Sequence, residues 1–392
     1  MKRDTKIAHA GSHPARQHGA VNPPVYRVST VVHENISALE AQAKTPFDGM
    51  HYGRYGTPTT FAFEEAMAEL EGGYRSIALP SGLAAITSAL GAFVKAGDHL
   101  LVADSVYFPT RKFCDTILKG FGVETTYYDP LIGSGIAGLI RDNTKAVFVE
   151  SPGSLTFEVQ DIPAIAKAAH ARNVVVLGDN TWGTPLFMEP FALGIDVSIQ
   201  ACTKYIVGHA DAMLGAITTT EALYHQIKNF VCVNGFSVGS EENYLGLRGL
   251  RTLGVRLAQH QNSALRVAGW LSLRPEVLRV IHPALPSDAG HKLWKRDFSG
   301  SCGLFSFMLK PVTDRSVNAF LDALSLFGKG YSWGGFESLA IPAYRGLVRT
   351  ATNWNQDGKL IRLHIGLEDV DDLIADLEKG FAALIEYEEG SL

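Results

Sequence analysis

Short apolar runs alternate with helix-like segments over roughly residues 60–205, and this alternation limits the possible folds more than any other feature. The apolar runs are HLLVADS, VETTYYD, AVFVES, VVVLGDN and DVSIQACT, and the helix-like segments include FAFEEAMAELEGG, LAAITSALGAFVKAGD and IPAIAKAAHARN. Near-continuous Val, Ile and Leu strands separated by helices are typical of a parallel sheet covered on both faces. The sequence therefore predicts an α/β fold with a mostly parallel sheet.

The chain has 392 residues, which exceeds the length at which a single core usually stops growing. Residues 1–55 are rich in His, Pro and Gly and are predicted to form an extended N-terminal arm. A large domain is expected over residues 56–250. Beyond it, GVRLAQHQNSALRVAGWL predicts a long helix, and the strands GLFSFML and LIRLHIG alternate with helices. Residues 251–392 are therefore predicted to form a smaller C-terminal α+β domain.

The composition favours a soluble cytoplasmic enzyme. The net charge is −5, without a block of like charge, so neither nucleic acid nor an anionic membrane is expected as a partner. The sequence contains neither a signal-peptide pattern nor a run of 18 apolar residues, so no membrane span is expected. The four cysteines are scattered without a CxxC pair, which is typical of reduced thiols.

The stretch GSGIAG, residues 133–138, matches the GxGxxG pattern of dinucleotide-binding proteins. That pattern requires a preceding strand, a full crossover helix and an acidic residue about 20 positions later. The next predicted strand, AVFVES, begins too soon after Gly138 for such a helix. A glycine-rich turn is the better interpretation, and a nicotinamide oxidoreductase is the weaker alternative.

Chemically reactive residues follow several of the predicted strands. VVVLGDN ends at Asp179, DVSIQACTK ends at Lys204, and HLLVADSVY extends to Tyr107, while PSGLAAITSAL places Ser81 and Gly82 at the start of a helix. Each has a plain alternative: a surface lysine, a helix cap, a core tyrosine or a simple turn. Ligands of open α/β sheets bind at the carboxyl ends of strands, and helix N-termini bind phosphate. Together these residues supply the amine, acid, aromatic ring and phosphate site that pyridoxal phosphate requires.

A buried arginine is predicted in the C-terminal domain. Arg362 lies within the apolar strand of LIRLHIGLED, and a buried guanidinium is costly without an anion. Its planar fork can bind the carboxylate of an amino acid through two parallel hydrogen bonds.

From end to end, the chain resembles the Cys/Met-metabolism family of pyridoxal-phosphate enzymes of fold type I. The motifs that carry the resemblance are TKIAHAG, GAVNPPVY, YGRYGTPT, PSGLAAI, VESPG, GDNTW, QACTKYIVGHADAMLG, YSWGGFESL and IRLHIGLED. The resemblance implies the transferase-like fold of these enzymes, with a mostly parallel seven-stranded sheet in the large domain. It also implies that Lys204 forms the Schiff base with the cofactor, and that Lys204 and Tyr107 are catalytic.

The resemblance further implies roles in binding the cofactor and the amino-acid substrate. Tyr52 and Arg54 of one subunit would reach the cofactor phosphate of its neighbour, which implies a dimer with shared active sites, usually within a tetramer. The other implied contacts are the phosphate with Gly82, Leu83 and Thr203, ring stacking by Tyr107, the pyridine nitrogen with Asp179, and the substrate carboxylate with Arg362.

The chain departs from the family pattern at several positions. Ala201 stands where the family usually has a serine, so one phosphate hydrogen bond is lost or supplied elsewhere. The γ-directed members typically have ESPTNP and SLGG, whereas this chain has ESPGSL and SWGG. Tyr331, Ser332 and Trp333 instead resemble the β-lyase branch. Tyr55 occupies a position where that branch can have a second basic residue, so recognition of the far end of the substrate stays open.

The resemblance favours a carbon–sulfur β-lyase of methionine biosynthesis that cleaves L-cystathionine to homocysteine, pyruvate and ammonia. Ser332, Trp333 and Arg362 are the predicted substrate-binding residues. The alternatives are a cystathionine γ-synthase or γ-lyase, a methionine γ-lyase, a cysteine desulfhydrase, or a non-catalytic homologue on the same fold. No metal is expected: His209 and Asp211 lack a third ligand nearby, and a structural role is preferred for them.

Overall fold

The computed structural model describes residues 1–354 and 357–390. Its larger sheet has seven strands in the order β1-β7-β6-β5-β4-β2-β3. The strands are β1 (Arg75–Leu79), β2 (His99–Ala103), β3 (Glu124–Tyr128), β4 (Thr144–Glu150), β5 (Val175–Asp179), β6 (Val197–Gln200) and β7 (Gly215–Thr219). All neighbouring pairs are parallel except those of β7, which runs antiparallel to both β1 and β6. The mostly parallel seven-stranded sheet is therefore confirmed.

Thirteen α-helices surround and connect the sheets in the described part of the chain. They are α1 (Arg3–His9), α2 (Ile36–Ala43), α3 (Pro58–Glu71), α4 (Gly82–Gly91), α5 (Phe108–Phe113), α6 (Ile162–His170), α7 (Thr184–Phe187), α8 (Glu221–Val233), α9 (Ser240–Leu250), α10 (Leu253–Leu271), α11 (His291–Asp297), α12 (Asp314–Ala323) and α13 (Val370–Glu389). The predicted helices α3, α4, α6 and α10 are all present. Gly72 ends α3 in the left-handed conformation, as the glycines after the apolar pattern indicated.

Strand β2 shows why the strand sequences are apolar at every position. Leu101 and Ala103 belong to one hydrophobic cluster, whereas Leu100 and Val102 belong to another. Successive side chains of a strand point to opposite faces, so both faces of the sheet must be covered for all four residues to be buried. The two clusters are therefore the two faces of a sheet that is buried on both sides.

A second sheet, in the C-terminal part of the chain, is antiparallel. It contains β8 (Val277–Ile281), β9 (Leu304–Leu309), β10 (Leu339–Pro342) and β11 (Lys359–His364) in the order β10-β11-β9-β8. Its own hydrophobic cluster joins residues of α10, α12 and α13 to β9 and β11. The predicted α+β organisation of this part is present, and the boundary predicted after residue 250 falls where α9 ends. The division into an arm and two domains stays a prediction.

Two features of the structure bear on the remaining sequence expectations. The arm contains the short helices α1 and α2, which the sequence analysis did not predict, and α2 has no buried residue. The GSGIAG stretch lies in the 3-10 helix Gly133–Leu139, and strand β4 follows without a crossover helix. This agrees with a turn rather than a dinucleotide site. Within the described residues, no helix has the length and apolar character needed to cross a bilayer.

Candidate active site

The main cavity of the structure, of about 1010 Å³, lies at the carboxyl ends of the parallel strands and is closed by residues of the antiparallel sheet. Ligand sites of open α/β sheets occupy this position. Most of the predicted site residues line this cavity, namely Gly82, Leu83, Tyr107, Asp179, Thr203, Lys204, Ser332, Trp333 and Arg362. Tyr52 and Arg54 do not.

Lys204 lies in a turn after β6, not at the end of the strand itself. Strand β6 ends at Gln200, so the prediction that the strand continues to Thr203 and Lys204 was wrong. The turn is closed by Lys204 N–H donating to Ala201 O at 3.0 Å and by Gly208 N–H donating to Lys204 O at 2.8 Å. This backbone turns away from the sheet and directs the side chain into the cavity.

The amine of Lys204 has an environment that favours its neutral form. Nζ donates to Ser332 Oγ at 2.6 Å and lies 5.2 Å from the centre of the Trp333 ring. Burial and then the nearby Arg362 cation lower the pKa of Lys204 to about 8, while Asp179 opposes them. A neutral amine is the nucleophilic and basic form of lysine, and with this pKa about a tenth of the amine is neutral at pH 7.

Asp179 ends β5 beside this lysine. Its Oδ1 accepts from Thr181 N–H at 2.9 Å. Burial raises the pKa of the carboxyl, and the Thr181 hydrogen bonds and the Lys204 cation oppose the shift. A buried carboxylate at this place can bind a protonated ring nitrogen of a ligand.

The start of α4 forms the phosphate-sized part of the cavity wall. Ser81 caps the helix by accepting from Ala84 N–H at 3.0 Å, and the preceding N–H groups have no partner within the helix. A Cβ at Gly82 would lie 2.4 Å from Ala201 Cβ, so this helix start tolerates no side chain. The Thr203 hydroxyl also lines the cavity, but it donates to Leu214 O at 3.2 Å.

Arg362 in β11 is buried in the opposite wall. Its Nη2 donates to Ser332 O at 2.9 Å, whereas its buried Nε has no hydrogen-bond partner among the described residues. Burial lowers the pKa of Arg362 to about 10. A buried cation that lines a cavity and has an unused donor is a site for an anionic ligand group.

Comparison with known proteins connects this geometry to a family. Residues 4–382 match the family described as Cys/Met metabolism PLP-dependent enzyme. The chain belongs to this family. A putative cystathionine beta-lyase of Rhizobium johnstonii is 52% identical, over 97% of this chain and 96% of that protein. Cystathionine beta-lyase MetC of Escherichia coli is 45% identical, over 98% of this chain and 99% of that protein.

Solved structures agree with the family. The cystathionine gamma-lyase from Lactobacillus plantarum, complexed with L-serine, superposes with a TM-score of 0.90 at 33% identity, covering 98% of this chain and 99% of that one. The predicted fold type I is therefore confirmed, as are the predicted pyridoxal phosphate cofactor and the assignment to the PLP-dependent enzymes.

The residues of the cavity fit pyridoxal phosphate. The cofactor presents an aldehyde, a ring nitrogen and a phosphate. The cavity presents the Lys204 amine, the Asp179 carboxylate and the uncapped N–H groups at the start of α4.

Two residues that the sequence analysis did not single out contribute to the cavity. Glu150 ends β4, and its Oε2 accepts from Tyr107 N–H at 2.9 Å; burial raises the pKa of its carboxyl well above the usual range. Arg349 lines the cavity and donates to Asp104 O at 2.8 Å. The motif VESPG contains Glu150, and an acid at a strand end is the same signal that identified Asp179. The sequence around Arg349 gives no such signal.

Tyr52 and Arg54 occupy a different part of the surface. Arg54 Nη1 donates to Cys232 O at 2.5 Å, and its guanidinium stacks on Tyr55 at 4.5 Å from the ring centre. Arg54, Tyr55 and Cys232 line a second cavity of about 310 Å³. Tyr52 is 45% exposed. In a single chain, neither side chain contributes to the cavity around Lys204.

His209 and Asp211 follow the lysine turn. His209 Nδ1 donates to Val207 O at 2.6 Å, a local bond that stabilises the turn. Within the described residues, no cluster of three His, Cys, Asp or Glu side chains could hold a metal ion.

Proposed function

We propose that this protein is a carbon–sulfur β-lyase that cleaves L-cystathionine to homocysteine, pyruvate and ammonia. The observation that carries the proposal is the contact of the Ser332–Trp333 segment with the Lys204 amine, through Ser332 Oγ at 2.6 Å and the Trp333 ring centre at 5.2 Å. Relatives 45–52% identical over almost the whole chain bear the name cystathionine beta-lyase. The fold alone does not separate β- from γ-elimination, since a γ-lyase superposes with a TM-score of 0.90.

The same proposal assigns the cofactor contacts. The N–H groups of Gly82 and Leu83 hold the phosphate, with the Thr203 hydroxyl as a further donor that gives up its bond to Leu214. The Tyr107 ring, 44% exposed in the cavity, stacks on the pyridine. Asp179 accepts the hydrogen bond of the protonated pyridine nitrogen. Ala201 has no hydroxyl to offer the phosphate.

In this proposal, the substrate binds to the wall of the cavity that contains Arg362. Arg362 binds the α-carboxylate with two parallel hydrogen bonds, and its carbonyl contact to Ser332 fixes the plane of the guanidinium. Pyridoxal phosphate supplies an electron sink that stabilises the carbanion at Cα. The Trp333 indole covers the reacting amine and restricts the space beside it.

Lys204 moves the protons. Its neutral amine removes the Cα proton, and the resulting ammonium can return a proton to the sulfur that leaves from Cβ. β-Elimination requires one carbon deprotonation, whereas γ-elimination requires a second one at Cβ. A single mobile base beside a bulky indole therefore suits loss of the thiolate from Cβ, and hydrolysis of the three-carbon fragment yields pyruvate and ammonia.

Product analysis tests the proposal. Purified enzyme incubated with L-cystathionine should release pyruvate and homocysteine in equal amounts, with little 2-oxobutyrate, as measured by chromatography of the derivatised oxo acids. Lys204→Ala should abolish turnover and the pyridoxyl adduct that borohydride reduction otherwise places on this lysine. If 2-oxobutyrate and cysteine dominate, the β-lyase proposal is wrong, while family and cofactor stand.

Assembly and location belong to the same proposal. The enzyme acts as a dimer with shared sites, usually within a tetramer, and the position of Tyr52 and Arg54 outside the cavity of their own chain supports a role in a neighbour's site. A role in methionine biosynthesis in the cytoplasm agrees with four free and buried cysteines, since a reducing compartment keeps thiols unpaired.

A further inference from the structure

The turn over Lys204, residues 331–335, has an unfavourable backbone conformation at Ser332. Ser332 has a φ of 78° and Gly334 a φ of 86°. The left-handed conformation is unfavourable for a residue with a Cβ, so neighbouring contacts must stabilise Ser332 there. The turn also packs tightly, because a Cβ at Gly334 would lie 2.8 Å from the carbonyl carbon of Lys204.

Strand β11 holds this turn at two points. Arg362 Nη2 donates to Ser332 O at 2.9 Å, and Gly334 N–H donates to His364 Nε2 at 3.0 Å. Residues 362 and 364 lie on the same face of the strand, since side chains alternate along it. The two bonds flank Trp333, whose ring and neighbouring serine hydroxyl contact the Lys204 amine.

The partners of His364 determine which nitrogen carries its proton. Nδ1 faces Glu337 O at 3.0 Å and must donate, which leaves Nε2 as the acceptor for Gly334. The ring is fully buried and packs at a tilt against the rings of His260 and Tyr205. Burial, with His260, lowers the pKa of His364 well below its ordinary value, so the ring stays neutral.

We propose that His364 is a positioning residue, whose Nε2 lone pair sets the turn that places Ser332 and Trp333 against Lys204. It touches neither substrate nor cofactor. The residue acts through the Gly334 N–H, at the end of the turn that Arg362 does not contact. This inference rests on the proposed function only in that Ser332 and Trp333 contact the reacting amine.

Three substitutions separate the acceptor from the shape of the ring. In His364→Gln the side-chain oxygen reaches the position of Nε2 and can accept from Gly334. In His364→Asn the polar atoms reach only the position of Nδ1, and in His364→Phe the ring remains without an acceptor. We expect Asn and Phe to lower kcat/KM on the order of tenfold or more, and Gln to retain it within about threefold.

Two further measurements distinguish positioning from structure. In the holoenzyme, the pH midpoint of the visible cofactor absorbance reports the surroundings of the Lys204 amine; it should shift in the Asn and Phe variants but not in Gln. Combining His364→Asn with Ser332→Ala should cost less than the sum of the single losses, because both act through one turn.

The outcomes are decisive for His364 and independent of the product test. The positioning role would be overturned if His364→Gln lowered kcat/KM as much as His364→Asn does. It would also be overturned if the losses of His364→Asn and Ser332→Ala were additive, or if the loss of kcat/KM followed the amount of unfolded protein. A wild-type product of 2-oxobutyrate would instead contradict the β-lyase proposal and leave the comparison among the His364 variants unchanged, since each is measured against the wild type with the same substrate.

Discussion

The Lys204 amine shares its cavity with a cation, Arg362, and an anion, Asp179, which shift its pKa in opposite directions. Burial and Arg362 together lower the pKa of Lys204 to about 8. The fraction of the neutral amine, which attacks the cofactor aldehyde, therefore increases as the pH rises through 8. We predict that the rate at which apoprotein captures pyridoxal phosphate increases about tenfold per pH unit below this midpoint and levels off above it. Stopped-flow absorbance between pH 7 and 9 measures the rate, and the cofactor phosphate is ionised throughout this range.

Removing the neighbouring cation supplies the control. Arg362→Met takes away the charge that, after burial, lowers the pKa of Lys204 most, so the midpoint should move to higher pH. A wild-type midpoint near the ordinary lysine value, or one that does not respond to this substitution, would contradict the assigned environment.

Single residues were predictable where a reactive group interrupts an apolar strand pattern. Lys204, Asp179 and Arg362 all stand out in this way, and the structure places all three in one cavity. The position of Lys204 within its element was not predictable, because the apolar Ala201 and Cys202 continue the strand pattern through a turn. The role of His364 was not predictable either, because it depends on the Gly334 N–H, which reaches the ring only in the folded turn.

At the level of elements, a buried carboxylate joins the end of β2 to the segment before β11. Asp104 is fully buried and accepts from Arg111 Nη2 at 2.6 Å, from the N–H groups of Thr350 at 2.9 Å and Thr352 at 2.8 Å, and from the Thr352 hydroxyl at 2.8 Å. The hydrogen bonds of Thr350 and Thr352 keep the pKa of Asp104 below its usual value despite burial. The carboxylate thereby fixes one wall of the cavity.

Asp104→Asn is predicted to lower the free energy of unfolding by about 3–5 kcal/mol, because it leaves Arg111 without its buried anion. The amide NH2 of the asparagine would also face other hydrogen-bond donors. The midpoint of urea-induced unfolding measures the loss. Asp142→Asn is the matched control, because Asp142 pairs with Arg172 at the surface and should change the midpoint little. Equal shifts of the unfolding midpoint in the two variants would contradict the predicted stabilising role of the buried Asp104 carboxylate.

Strands and helices with apolar side chains could be predicted from the sequence. Strands whose buried side chains are polar and hydrogen-bonded to a neighbouring strand were harder to predict. Strands β2, β4, β5 and β6 follow from their Val, Ile and Leu residues and β3 from the Thr and Tyr residues of VETTYYD, whereas β1 and β7 were not identified as individual strands. Strand β7 reads GAITT, and its Thr218 is buried because its hydroxyl bonds Ser76 of β1 at 2.7 Å. A buried threonine looks like a surface residue until its partner strand is known.

Across the whole molecule, the predicted site residues other than Tyr52 line two separate cavities, and a second copy of the chain is the proposed link between them. Arg54 lines the smaller cavity with Tyr55 and Cys232, whereas Lys204 and Asp179 line the larger one. If Arg54 serves the neighbour's cofactor phosphate, each active site takes residues from two chains. A defect in Arg54 then disables the partner's site, whereas a defect in Lys204 disables the site of its own chain.

Subunit mixing tests this arrangement. Arg54→Ala and Lys204→Ala should each be nearly inactive alone, because the first loses a phosphate cation and the second the reacting amine. In an equal mixture after subunit exchange, hybrid dimers carry one intact site, so activity should recover to about a quarter of the wild-type level. Mixing Lys204→Ala with Asp179→Ala is the control: both residues line the same cavity of one chain, so every site stays defective and no recovery is expected. If exchange is verified by mass spectrometry of tagged chains and the Arg54 mixture behaves like this control, then Arg54 does not complete a neighbour's site.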